Sequence, residues 1–172
     1  EAGAVVGIEP STGAVRVLYA APSFDPNLFA GQLSSSAWAA IRDDPHHPLQ
    51  NRCLQGLYPP GSTIKPFLLL AALQEGVIPS GWSVVCNGRF TLFGHTFHCW
   101  RRSGHGRVGP RESLEVSCDV FYYRLGQRLG IDRIAAWMRS FGFGSRSGLG
   151  LKFEAEGLVG TPEWSERVRQ QP

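Results

Sequence analysis

Pro59-Pro60-Gly61 breaks the backbone immediately ahead of Ser62-Thr63, and the residues that follow, Ile64 to Leu73, form an apolar run of helical length that Gly76 stops. One helix is therefore required at a defined place, with Ser62 at its N-terminus. The longest uninterrupted apolar stretch within it, Phe67 to Leu73, is far too short to cross a bilayer. The helix belongs instead to a globular core, for which 172 residues at 42% hydrophobic and 18% charged composition are sufficient.

The rest of the chain is punctuated by glycine and proline. Ala4 to Glu9 and Ala14 to Ala20 are rich in Val, Ile and Leu, and Pro10-Ser11-Thr12-Gly13 between them is turn chemistry, which predicts an antiparallel hairpin. An irregular, proline-rich region covers residues 21 to 61, with one short helix at Ser35 to Arg42. From Gly76 to Pro110 the pattern is loop-rich, with one short strand at Arg89 to Phe93. Helices are predicted at Arg111 to Ser117, Asp119 to Leu129 and Asp132 to Phe141, the last with Ile134, Trp137 and Met138 on its apolar side. Gly142 to Gly150 is glycine-rich punctuation, and Glu163 to Pro172 reads as a polar stretch without periodicity. A chain that starts on a strand and ends in such a stretch reads as a fragment, and its N-terminus has no basic-then-apolar signal pattern.

Charge narrows the function classes. The net charge is +3, and the arginines are scattered rather than gathered with aromatics, so nucleic-acid binding has little support. Four cysteines are too few for a small disulfide scaffold and do not fix the redox compartment. Cys53 stands apart and is expected to be a buried apolar thiol. Cys86, Cys99 and Cys118 share one loop-rich region with His95, His98 and His105, where little apolar material is available to hold the chain.

Ser62-Thr63-Ile64-Lys65 places a serine and a lysine three positions apart, on nearly one face of a helix. A serine hydroxyl needs a base to become a nucleophile, and lysine can be that base when burial or nearby positive charge lowers its pKa. The spacing alone is weak, because an N-capping serine followed by a solvated lysine looks the same.

The neighbourhood is more specific. Leu57-Tyr58-Pro59-Pro60-Gly61-Ser62-Thr63-Ile64-Lys65-Pro66-Phe67 resembles the segment around the active serine of class B penicillin-binding proteins, and Ser117-Cys118-Asp119 stands where that family carries Ser-x-Asn. Asp119 in place of Asn is similar to the elongation-type members, as are Ser23 to Phe29, Gly104-His105-Gly106-Arg107 and Phe141-Gly142-Phe143-Gly144. The resemblance covers roughly residues 3 to 165. It implies an α/β fold of the α+β type, an antiparallel sheet flanked by helices, in which the hairpin supplies two strands. It further implies a peptidoglycan D,D-transpeptidase acting on stem peptides and acylated by β-lactams. Ser62 would be the nucleophile, Lys65 the base, Ser117 a proton relay and Asp119 the residue that orients both. Asp119 could alternatively cap the helix that follows. A SEDS-type glycan polymerase partner and a place on the periplasmic face of the bacterial inner membrane also come with the resemblance.

The family's third motif, Lys-Thr-Gly or Lys-Ser-Gly, occurs nowhere in the sequence, so residues 1–172 read as part of the transpeptidase domain, without the third-motif strand, anchor or pedestal, and as inactive alone. A β-lactamase, a β-lactam sensor and a non-catalytic metal-stabilised module are the rival readings. For the cysteine loop the expectation is a structural zinc site made by Cys86, Cys99, His105 and Cys118. Some elongation-type relatives have zinc in this region, with Asp at the positions matching Cys86 and Cys99. A Cys86–Cys99 disulfide, or His95 or His98 in place of His105, are the alternatives.

Overall fold

The turn at Pro10–Gly13 closes the predicted hairpin in the computed structural model, which describes residues 2–170. Strand β1 (Gly3–Ile8) pairs antiparallel with β2 (Val15–Ala21), Gly3 opposite Ala21 and Val6 opposite Leu18, with a register irregularity at Gly7/Ile8. The Gly13 N–H returns to the Glu9 carbonyl at 2.8 Å, its φ of +74° being one that glycine adopts without strain. The hairpin belongs to a compact unit made of residues 2–58 and 148–156. Helix α1 (Ser35–Arg42) has the predicted bounds, and the Ser34 hydroxyl caps it by accepting the Ala37 N–H at 3.2 Å.

A short helix that the sequence does not announce, α2 (Arg52–Gln55), packs on both strands. Arg52 on it is buried, its guanidinium donating to the carbonyls of His46 (2.7 Å) and His47 (3.2 Å). A buried cation is tolerable there because aligned carbonyl dipoles replace its hydration. Cys53 corrects the expectation of a buried apolar thiol. It is half-buried, and its S–H lies 3.1 Å from the Tyr19 carbonyl.

The second unit comprises residues 59–147 and 157–170. A 3-10 turn, Gly61–Ile64, leads directly into α3 (Lys65–Gln74), which packs against α5 (Asp119–Leu129) and α6 (Ile131–Ser140). α4 (Pro110–Glu115) precedes α5, ending two residues short of the predicted bound. Leu69, Ala72, Ile78, Val84, Val108, Val120, Phe121 and Leu125 make the core. Between α3 and α4 run four short strands in two antiparallel pairs: β3 (Val84–Cys86) with β6 (Gly106–Val108), and β4 (Arg89–Leu92) with β5 (His95–His98). The last described element, α7 (Pro162–Arg169), overturns the reading of a polar stretch without structure: Thr161 caps it by accepting the Trp164 N–H at 3.2 Å. Helices combined with antiparallel sheets make the α+β class expected from the sequence.

Candidate active site

Ser62 is exposed in the 3-10 turn rather than on the first turn of an α-helix. With about three residues per turn, this geometry brings positions i and i+3 into line. The Lys65 N–H closes the turn onto the Ser62 carbonyl, so serine and lysine are one turn apart. Thr63 secures the turn by donating to the Pro60 carbonyl at 2.6 Å.

Lys65 opens α3 and is 7% exposed. Its ammonium finds three acceptors where the α4–α5 connection enters α5: the Ser117 carbonyl at 2.9 Å, the Ser117 Oγ at 3.0 Å and Asp119 Oδ1 at 2.7 Å. The face of Tyr122 lies 5.2 Å from Nζ. Ser117 reaches the lysine with both backbone and side-chain oxygen because its φ is +48°, a left-handed conformation that non-glycine residues seldom adopt. Asp119 does not cap α5; that position belongs to Cys118. Its second oxygen accepts the Trp100 N–H at 2.9 Å, while the Trp100 indole donates to the Val116 carbonyl at 3.0 Å. Burial pushes the Asp119 carboxyl up, but the hydrogen bonds from Lys65 and the Trp100 N–H outweigh it and hold the group below the ordinary carboxylate range. Trp100 and Tyr122 are site residues the sequence reading missed. Trp100 acts mainly through its backbone N–H, which carries no residue signal, whereas the aromatic run at 121–123 was a visible one.

Cys86, Cys99, His105 and Cys118 come together, and their four ligand atoms all lie within 4.8 Å of one another. His95 and His98 sit exposed on β5 and do not join them. All four cysteines of the chain are free thiols. Two glycines make the gathering possible. A Cβ at Gly88 would fall on the Arg102 carbonyl and one at Gly104 on the Cys86 carbonyl, so the two loops can cross only there. A tetrahedral zinc with ordinary Zn–S and Zn–N bonds would place sulfur and nitrogen about 3.6 Å apart. His105 Nδ1 lies 3.7 Å from Cys86 Sγ and 3.5 Å from Cys99 Sγ. The donor set therefore fits a thiophilic divalent cation. His105 Nε2 is buried without a hydrogen-bond partner, its ring packed edge-on with Trp100 at 5.3 Å. Burial pushes the Cys118 thiol up to about 12, with the neighbouring Cys86 adding to the shift.

A serine one turn ahead of a buried lysine, with a second serine and a carboxylate on that lysine, is the side-chain set for serine acyl transfer. The profile of the penicillin binding protein transpeptidase domain matches residues 3–170, and the chain belongs to that family. It is 42% identical over 170 residues to the peptidoglycan D,D-transpeptidase MrdA of Acinetobacter baumannii, covering 98% of this chain and 25% of that protein. Among solved structures, PBP2 of Pseudomonas aeruginosa in complex with WCK 5153 superposes with a TM-score of 0.92 at 43% identity, covering 98% of this chain and 37% of that one. The penicillin G acyl-enzyme of penicillin-binding protein A from M. tuberculosis superposes at 0.83, with 32% identity over 92% of this chain and 38% of that one. The chain thus spans about a quarter of the length of the curated relative.

Proposed function

We propose that the protein is part of a peptidoglycan D,D-transpeptidase in which Ser62 is the nucleophile. The observation that carries this reading is the Lys65 ammonium bonded to both Ser117 Oγ and Asp119 one turn after Ser62. Lys65 acts as general base and takes the Ser62 hydroxyl proton. Ser62 Oγ bonds to the carbonyl carbon of the penultimate D-alanine of a stem peptide, and the C–N bond to the terminal D-alanine breaks. Ser117 passes the proton from Lys65 to the departing amine. An amine from a second stem peptide then attacks the ester, gives its proton back along the same path, and releases Ser62. Asp119 keeps Lys65 and Ser117 in line throughout. β-Lactams enter the same sequence through their ring amide and leave an acyl-enzyme that hydrolyses slowly.

Cys86, Cys99, His105 and Cys118 would hold one structural Zn²⁺, supported by the donor distances above. When bound, the metal ties the loop on which the cysteines lie to the segment carrying Ser117 and Asp119. Resemblance to the elongation-type members supports a SEDS-type glycan polymerase as partner and a site of action on the periplasmic face of the inner membrane. Among the described residues no helix is long and apolar enough to cross a membrane.

Labelling of the full-length protein with a reporter penicillin tests the reading. The expected result is a covalent adduct that maps to Ser62 and disappears in Ser62→Ala. Lys65→Ala should reduce labelling nearly as far, because nucleophile and base act as a unit. An adduct that survives Ser62→Ala would overturn the assignment.

A further inference from the structure

On the far side of α5 from Lys65 lies a polar cavity of about 460 Å³, walled by β3 and its approach on one side and by Arg124, Gln127 and Arg128 on the other. At about 100° per residue, Arg124 and Arg128 are turned by roughly 200° and 240° from Tyr122, the residue that faces Lys65. The cavity is thus separate from the serine site.

Its charge is one-sided. No carboxylate lines it, and neither Arg124 nor Arg128 has an acidic partner among the described residues. Like charges at i,i+4 disfavour a helix, so this pair works against α5 until an anion lies between them. Both side chains are exposed, and each guanidinium lies against an aromatic face. Arg124 lies over Phe90 at 5.4 Å and Arg128 over Trp82 at 5.2 Å. Trp82 in turn packs edge-on against the fully buried Phe121 at 4.8 Å, which fixes the platform to the core. Arg107, from β6, donates to Ser83 Oγ at 3.0 Å beside the same wall. Guanidinium forks stacked on aromatic faces are suited to planar two-oxygen anions, because stacking leaves the N–H edges free for paired hydrogen bonds.

We propose that this cavity binds a carboxylate of a peptidoglycan stem peptide, outside the cleft in which Ser62 reacts. The proposal rests on the transpeptidase reading, which supplies a peptide substrate rich in carboxylates. The Arg124 and Arg128 forks take the carboxylate, and the amides of Asn87 and Gln127 are at hand for the peptide bonds beside it. A strand held there keeps further stem peptides near the serine, so loss of the site acts on KM rather than kcat.

The test is titration of the full-length Ser62→Ala protein with a soluble stem pentapeptide and with the same peptide carrying amidated carboxyl groups. The free peptide should bind more tightly by about tenfold, more weakly as salt rises. Arg124→Gln with Arg128→Gln should abolish the difference between the two peptides without lowering Tm. Equal binding of free and amidated peptides, or a preference for the free peptide that persists in the double variant, would overturn the proposal. So would equal Arg-dependent binding of an unrelated acidic peptide of L-residues, which would mark a general anion site. The transpeptidase reading fails separately, if a reporter penicillin does not acylate Ser62 in protein with both arginines intact.

Discussion

Lys65 is the residue on which the second unit's chemistry converges, and it is held from one side. Its three acceptors are all on Ser117 and Asp119, so removing one anchor should be felt in reactivity before stability. Asp119→Asn replaces an ionic hydrogen bond by a neutral one, and should lower the rate of penicillin acylation by roughly tenfold or more while costing about 1–3 kcal/mol of stability. Comparing acylation rate with Tm checks this; parallel loss of both would mean that Asp119 is structural only. Phe121→Ala makes the opposite case. Phe121 is fully buried among Trp82 and Tyr122, so truncation should cost about 3–5 kcal/mol and be read in the melting curve. Of these residues, the grouping of Lys65 with Ser117 and Asp119 was legible through the resemblance, which singled out Ser62-Thr63-Ile64-Lys65 and Ser117-Cys118-Asp119 as two motifs. The bonds from Lys65 to the Ser117 carbonyl and from the Trp100 N–H to Asp119 were not, since a main-chain acceptor or donor looks the same at every position.

Among the elements, legibility followed length and periodicity. α1, α5, α6 and the hairpin carry apolar patterns over seven residues or more, or clear turn residues, and they lie within two residues of their predicted places. β3, β5 and β6 are three or four residues long, too short for any alternation to register. α7 was missed for a different reason: its residues are mostly polar, and only the Thr161 cap and Pro162 announce it. The stretch from β3 to β6 is the element group that the proposed metal would hold. Its strands bring few buried apolar groups, Val84, Cys86, Phe90 and Val108 among them, so under the proposed zinc reading a bound cation would contribute much of its stability. Protein purified without added metal should contain about one zinc per chain, and Cys118→Ser should lower both zinc content and Tm. Removing metal with a chelator should raise hydrogen exchange in residues 84–108 before it does so in α3 or α5. Metal-free protein with unchanged melting would dispose of the site.

At the scale of the whole molecule, the hairpin is the informative feature. Val5 and Tyr19 point to one face and Val6 and Leu18 to the other, and all four are more than a third exposed. A two-stranded ribbon apolar on both faces is a sheet interior without its cover. The 172-residue chain by itself should therefore bind a hydrophobic dye and self-associate as concentration rises. A monodisperse monomer in light scattering, with no dye binding, would contradict this. The resemblance to penicillin-binding proteins had already placed this hairpin in a larger antiparallel sheet, but its exposed faces could be recognised only in three dimensions.

The left-handed backbone at Ser117 has a further consequence for how the protein can be improved. A glycine there would adopt the same φ of +48° freely, so Ser117→Gly should leave the fold as stable as before or more so, while deleting the hydroxyl bonded to Lys65. Selection for thermal robustness alone would drift toward that substitution, and selection for cross-linking would reject it. Under the proposed function, durability and turnover are opposed at this position.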